Sequence, residues 1–127
     1  MNPVVHFEMP ADDRNRMAKF YSGVFGWRTE MLGEEMGNYV VVSTTETAAD
    51  GRPTAPGAIN GGFYPKTPDN PVMSVVIGVE DIKAHAKKVA AAGGKVIGEP
   101  VQIPGVGWYV SFVDTEGNRM SMLQPTR

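Results

Sequence analysis

The chain has 127 residues, of which 42% are hydrophobic and 20% charged, the composition of one ordinary globular domain. The net charge of -2 provides no basic surface for nucleic acid or an anionic membrane, and the lack of cysteine excludes disulfides, thiolate metal sites and cysteine nucleophiles. The chain contains no signal-like segment and no apolar run of membrane-spanning length, so we expect a cytoplasmic protein whose partners are small molecules or proteins.

The first half of the chain predicts one strand, one helix and three further strands. The alternating segment Val4–Met9 indicates a strand that ends at Pro10, and Asp12 or Asp13 can cap the helix that follows. An apolar stripe with helical spacing extends this helix as far as Gly26 and consists of Met17, Phe20, Tyr21, Val24 and Phe25. Strands are predicted around residues 27–32, 38–44 and 57–64, with a long polar loop at 45–56 before the last one.

The second half predicts the same order of elements after a proline-rich linker at residues 65–71. A strand at 72–79 is followed by a helix that Asp81 can cap and that Gly93 and Gly94 end. Its apolar stripe consists of Ile82, Ala86, Val89 and Ala90. Strands are predicted around 95–101, 107–114 and 119–124, the last two joined by the turn at 115–118.

The two halves are related by a shift of about 68 residues, which places Asp13 on Asp81 and Gly26 on Gly94. A repeat of this length is a duplicated supersecondary unit. The sequence therefore predicts a single α+β domain of two βαβββ modules. We expect module one at about 1–64, the linker at 65–71 and module two at about 72–127.

Three local motifs accompany the repeat and indicate a family. They are Val5-His6-Phe7-Glu8-Met9-Pro10 with the downstream Phe20-Tyr21 pair, Ala92-Gly93-Gly94 at the end of the second helix, and Phe112-Val113-Asp114-Thr115-Glu116-Gly117-Asn118 at the last hairpin. Together with the repeat they resemble the glyoxalase/bleomycin resistance protein/dioxygenase superfamily, the vicinal oxygen chelate proteins. The resemblance implies curved, cup-like mixed sheets with the helices outside.

The resemblance also implies four positions for metal ligands on the inner sheet faces, usually His, Glu or His, His and Glu. His6 matches the first position, whereas the third falls on Ser74 and the fourth on Ser121. The remaining position lies within 57–64, where neither strand phase supplies a carboxylate or an imidazole. Because a transition metal needs about three strong protein ligands, we expect no usual metal site and no cofactor; any metal that did bind would use His6 and Glu8.

The same inner faces predict a cavity in which polar groups lie among apolar ones, as in ligand pockets. The predicted cavity residues are His6, Glu8, Asn60, Ser74, Tyr109, Ser111 and Ser121. His6 and Glu8 share a face by strand alternation and allow three interpretations: a satisfied buried polar pair, a general base with its orienting group, or ligand contacts without chemistry. Asn60 could instead fix a bulge beside Gly61 and Gly62. No catalytic residue is assigned.

Two functions are compatible with these features. One is a metal-independent protein that binds a small molecule, as bleomycin-resistance proteins capture a drug. The alternative is a metal-dependent, glyoxalase-like lyase, isomerase or dioxygenase that uses His6 and Glu8. In either case we expect a homodimer, because the family commonly pairs sheets across chains and four aromatic residues suggested apolar surface that a partner would cover. These residues are Trp27, Phe63, Tyr64 and Trp108.

Overall fold

The computed structural model describes residues 1–126 and contains the strand–helix–three-strand order twice. The first set comprises β1 (Val4–Ala11), α1 (Arg14–Phe25), β2 (Arg28–Met31), β3 (Val40–Ser43) and β4 (Gly61–Pro65). A 3-10 turn at Glu34–Met36 lies between β2 and β3. The second set comprises β5 (Ser74–Gly78), α2 (Ile82–Ala91), β6 (Lys95–Ile103), β7 (Gly107–Val113) and β8 (Arg119–Pro125). The α+β class with two βαβββ modules is thus confirmed.

The chain forms two compact units, which we call the first and second modules. The first module comprises His6–Met73, and the second combines residues 1–5 with the chain from Ser74 onward. The first residues join the second module through a backbone hydrogen bond of 2.8 Å, which the Gly78 N–H donates to the Pro3 carbonyl. Neither α-helix of residues 1–126 is long and apolar enough to cross a membrane.

The first module is a four-stranded sheet in the order β2-β3-β4-β1, with α1 on one face. β1 and β4 are parallel, pairing Phe7 with Gly61 and Glu8 with Gly62, whereas the other neighbours are antiparallel. The face toward α1 holds the core cluster, to which β1 contributes Phe7, Met9 and Ala11. Because strand side chains alternate between faces, His6 and Glu8 belong to the opposite face.

α1 begins at Asp13, whose side chain accepts a hydrogen bond from the Arg16 N–H, and it ends at Gly26, whose φ of 73° suits a residue without Cβ. The predicted stripe divides into two groups. Met17 and Tyr21 pack with buried Ala18 on the core, whereas the exposed members are Phe20, Val24 and Phe25. The helix contacts the sheet over a narrower arc than the stripe covers, so its apolar pattern overstated the buried face.

The second module repeats this arrangement in the order β5-β8-β7-β6, again with parallel pairing between its first and last strands. Asp81 caps α2 by accepting from the Ala84 N–H, and the Gln124 side chain accepts from the Ile82 N–H. Its core includes Val110, Phe112 and Met122. Their strand neighbours with side chains on the other face are Tyr109, Ser111 and Ser121.

Two expectations from the sequence are wrong. β1 continues past Pro10 to Ala11. The Phe7 N–H points toward β4, so alternation along the strand directs the nitrogen of Pro10 away from β4. Although proline has no N–H, β1 therefore loses no hydrogen bond to β4 at this position. The four aromatic residues cited for a dimer are not a set of exposed rings. Phe63 is fully buried, and Trp27 and Trp108 pack against the two cores.

Candidate functional site

A short chain of hydrogen bonds joins three polar side chains on the face of the first module that is turned away from α1. His6 Nε2 lies 2.8 Å from the Tyr39 hydroxyl oxygen, and that hydroxyl donates to Glu8 Oε2 over 3.2 Å. His6 and Glu8 come from β1, whereas Tyr39 immediately precedes β3. All three are half-buried, so their contacts are partly shielded from water.

Gly62 makes the position of Tyr39 possible. It pairs with Glu8 in the parallel β1–β4 ladder and belongs to the same face. A Cβ on Gly62 would overlap the Tyr39 hydroxyl and the ring carbons next to it. Glycine at this position therefore leaves the space in which the tyrosine side chain reaches across β4 toward His6 and Glu8.

Burial favours the neutral form of the His6 imidazole. Burial lowers the pKa of His6 below its ordinary value of 6.5, and the negative charge of Glu8 opposes this shift without cancelling it. A neutral imidazole has one N–H donor and one acceptor nitrogen, so it can both donate and accept a hydrogen bond.

Strand register identifies the position in β4 that the sequence left open. The 68-residue shift maps Glu8 of β1 onto Val76 of β5, and these residues pair with Gly62 and Ser121 in the corresponding parallel ladders. Gly62 is thus the counterpart of Ser121. If the family resemblance assigns His6, Ser74 and Ser121 to three ligand positions, this register assigns the remaining one to Gly62.

The second module contains a cluster of hydroxyl groups on the face turned away from α2. Ser121 Oγ lies 2.7 Å from the Tyr109 hydroxyl and 3.0 Å from Ser111 Oγ. Ser121 is 1% exposed and occupies the centre of this cluster. Ser74 is also buried, on β5. The structure thus brings Tyr109, Ser111 and Ser121 together, and their place in a ligand cavity stays a prediction.

Asn60 holds the loop between β3 and β4. Its side-chain oxygen accepts from the Thr44 N–H at 2.9 Å, and its amide nitrogen donates to Thr47 Oγ1 at 2.9 Å and to the Gly51 carbonyl at 3.5 Å. Asn60 is 8% exposed, so this amide is satisfied within the protein. These contacts give Asn60 a structural role, and no contact of residues 1–126 assigns it to a ligand.

The donor set does not fit the divalent ion that the fold family commonly holds. At the four positions that the resemblance implies, His6 is the one strong ligand; Gly62 has no side chain, and Ser74 and Ser121 offer neutral hydroxyls. Across residues 1–126, no three His, Asp or Glu side chains come close enough to form a metal-binding group. Glu8 adds one carboxylate beside His6, which leaves the set short of three.

Sequence reasoning missed Tyr39, which proves to be the link between His6 and Glu8. A signal for it exists: Val40 and Val42 are core residues, so alternation along β3 places neighbouring odd-numbered positions on the other face. That signal does not reveal the partner of Tyr39, because the contact depends on the pairing of β4 with both β3 and β1.

Comparison with known proteins places the fold in a wide family. The model of the glyoxalase/bleomycin resistance protein/dioxygenase superfamily matches residues 4–122. A glyoxylase-like domain-containing protein of Didymella fabae is 34% identical over 116 residues, which cover 87% of this chain and 84% of that protein. The anthracycline biosynthesis protein DnrV of Streptomyces peucetius is 30% identical over 122 residues, but this chain spans only 42% of its length.

Among solved structures, a methylmalonyl-CoA epimerase variant of Streptomyces coelicolor in complex with 2-nitronate-propionyl-CoA has a TM-score of 0.70 and 18% identity. The match covers 99% of this chain and 96% of the epimerase. An identity this low carries over the fold and no activity.

Proposed function

The chain belongs to the glyoxalase/bleomycin resistance protein/dioxygenase superfamily, and within it we propose a protein that binds an organic small molecule without the usual divalent metal. The proposed ligand contacts in the first module are His6 and Glu8, together with Tyr39. In the second module the proposed contact is the Tyr109 hydroxyl, and the buried hydroxyls of Ser74, Ser111 and Ser121 belong to the same face of the sheet. The proposal assigns no catalytic residue.

The observation that carries the proposal is the donor set at the four corresponding positions. By the correspondence that the resemblance implies, a glycine and two serines stand at three of the four ligand positions. Tyrosine hydroxyls lie next to two of them, Tyr39 beside Gly62 and Tyr109 beside Ser121. Neutral hydroxyls are weak donors for a transition metal and leave its charge uncompensated. The same hydroxyls are well suited to hydrogen bonding with an uncharged organic molecule.

The relatives narrow the class of ligand. DnrV belongs to anthracycline biosynthesis by its name, and the epimerase structure contains a CoA ester. The face that carries His6 and Tyr39 provides aromatic rings as well as polar groups, a combination that favours a planar or partly aromatic ligand. We therefore place an aromatic, drug-like compound ahead of a CoA ester.

The proposal is tested by binding under metal-free conditions. Protein treated with EDTA is titrated with an anthracycline, followed by the fluorescence of the compound, and with methylmalonyl-CoA, followed by calorimetry. We expect saturable anthracycline binding that is the same before and after EDTA treatment. Binding or turnover that is lost with EDTA and restored by one divalent ion per chain would overturn the proposal in favour of a metal-dependent lyase, isomerase or dioxygenase using His6 and Glu8.

We also propose that the protein forms a homodimer, as the family resemblance implies. Apolar side chains that are exposed on the first module include Phe20, Val24 and Phe25 of α1, at 55%, 59% and 61% exposure. Light scattering at tens of micromolar protein distinguishes the two states. A mass equal to one chain would contradict the dimer and leave the proposed ligand binding intact.

A further inference from the structure

The hydrogen bond from Tyr39 to Glu8 favours one of the two imidazole nitrogens of His6 as the proton carrier. A tyrosine hydroxyl has one proton to donate, and an ionised carboxylate can only accept. If that proton went to His6 Nε2, the hydroxyl oxygen and Glu8 Oε2 would face each other 3.2 Å apart as two acceptors. The consistent arrangement is donation from His6 Nε2–H to Tyr39 and from Tyr39 to Glu8.

This arrangement leaves His6 Nδ1 as the acceptor nitrogen. Within residues 1–126, the hydrogen bond of His6 is made through Nε2. Within residues 1–126, no buried side-chain nitrogen or oxygen lacks a partner, and His6 is only half-buried. Nδ1 therefore keeps its lone pair at a position that a solvent molecule or a ligand can reach.

The rings of His6 and Tyr39 lie side by side. Their planes differ by 18° and their centroids are 6.5 Å apart, while a 2.8 Å hydrogen bond joins the edge of one ring to the hydroxyl of the other. Together they form a nearly flat surface wider than a single ring. Flat aromatic surfaces favour planar ligands through offset stacking.

We infer that Tyr39 is a positioning residue that holds His6 with its proton on Nε2, so that His6 Nδ1 accepts a hydrogen bond from the hydroxyl of a planar aromatic ligand. The inference rests on the proposed small-molecule binding and adds the chemical class of the ligand. It also gives Gly62 a function, since the absence of a side chain there admits Tyr39 to the site.

The proton position is tested by nitrogen-15 NMR of the labelled protein. The chain has two histidines, and the variant His85→Gln leaves His6 as the only one. In this background we expect a proton on Nε2 that exchanges slowly enough to be observed, and its loss to exchange in the additional variant Tyr39→Phe. The matched control is Tyr21→Phe, which removes a hydroxyl on the α1 side of the same sheet. A proton on Nδ1, or an Nε2 proton unaffected by Tyr39→Phe, would overturn the inference.

The ligand class is tested with 2-naphthol and its methyl ether, which have the same ring system but differ in the hydroxyl proton. We expect 2-naphthol to bind roughly 3- to 10-fold more tightly, which is the range for one added hydrogen bond. It should also shift the Nδ1 resonance of His6, whereas the ether should not. Equal affinity of the two compounds, with no shift of the Nδ1 resonance, would overturn the inference. The proposal that the protein binds a small molecule would not be affected.

Discussion

Tyr39 and Gly62 share one space: the tyrosine hydroxyl lies where a Cβ on Gly62 would stand. The space above Gly62 in β4 is thus filled by the side chain of the residue that precedes β3. The hydrogen bonds to His6 and Glu8 depend on this arrangement, because the Tyr39 hydroxyl makes both of them from the space above Gly62.

The first prediction concerns Gly62→Ala. The added methyl group forces the Tyr39 ring to rotate away, which breaks both hydrogen bonds of its hydroxyl to His6 and Glu8. We expect a loss of roughly 1–3 kcal/mol in the free energy of unfolding, the usual cost of overpacking with lost hydrogen bonds. Urea denaturation measures the loss, and the slowly exchanging Nε2 proton of His6 should disappear as well.

Gly23→Ala is the matched control for that substitution. Gly23 lies in α1, is exposed, and has open space around the position of a Cβ. Alanine there should raise stability by about 0.5–1 kcal/mol, because glycine is a poor helix former. A Gly62→Ala protein as stable as the wild type, with the Nε2 proton retained, would show that Tyr39 does not depend on the missing side chain.

Much of the fold could be predicted from local patterns. Asp13 and Asp81 predicted the starts of the helices, and strand alternation predicted that His6 shares a face with Glu8 and Ser111 with Ser121. These features depend on the chain within a few residues, where hydrophobic period and capping chemistry are informative. The 68-residue repeat predicted the module order, and the family resemblance predicted the fold.

The site itself could not be predicted, because it depends on which strands are neighbours. Gly62 meets Tyr39 only after β4 has paired with β1 on one side and β3 on the other. The sequence of 57–64 does not show which of its residues point to which face of the sheet. The pairing of Phe7 with Gly61 decides this. The prediction of exposure was wrong for the same reason: Phe63 was expected at a surface but is buried in the core of the first module.

The second prediction compares two serines of the second module. Ser121 contacts both Tyr109 and Ser111, whereas Ser111 contacts Ser121. We expect Ser121→Ala to lower the free energy of unfolding by roughly 1–2 kcal/mol, because it leaves the buried Ser111 hydroxyl without its Ser121 partner. Ser111→Ala should cost clearly less, because Ser121 keeps its hydrogen bond to Tyr109. Urea denaturation of the two variants decides this, and an equal loss would contradict a central role for Ser121.

The third prediction concerns the loop that Asn60 holds. Asn60→Ala removes the side-chain hydrogen bonds to Thr44, Thr47 and Gly51, so we expect about 2–3 kcal/mol of destabilisation and easier local opening of the loop. A protease specific for glutamate should then cut after Glu46 faster than in the wild type. If Asn60→Ala instead leaves the cleavage rate unchanged and abolishes ligand binding, Asn60 would be a ligand contact.

The fourth prediction is a dependence of stability on pH. Burial lowers the pKa of His6 in the folded protein, whereas the unfolded chain titrates near the ordinary value of 6.5. Between these values the unfolded state binds more protons, so the His6 contribution makes stability fall as pH drops through 6.5 and leaves it unaffected above that pH. His6→Gln should flatten this part of the profile. His85→Gln is the control variant. If His85→Gln flattens the dependence of stability on pH and His6→Gln leaves it unchanged, the assignment of this dependence to His6 is wrong.

The last prediction concerns metal ions. The family resemblance implies that Gly62, Ser74 and Ser121 occupy three of the four ligand positions. On that basis, added Zn, Ni, Mn or Fe(II) should leave the Tm of the wild-type protein nearly unchanged. A ligand that binds only the folded state raises stability by RT ln(1 + [L]/Kd), so a specific site of micromolar affinity would raise Tm visibly at millimolar metal. Metal analysis of protein purified without an affinity tag gives an independent reading. One metal per chain that is lost on His6→Ala would contradict the metal-free proposal, and it would make Glu8, the nearest carboxylate on β1, the next ligand to test by Glu8→Gln.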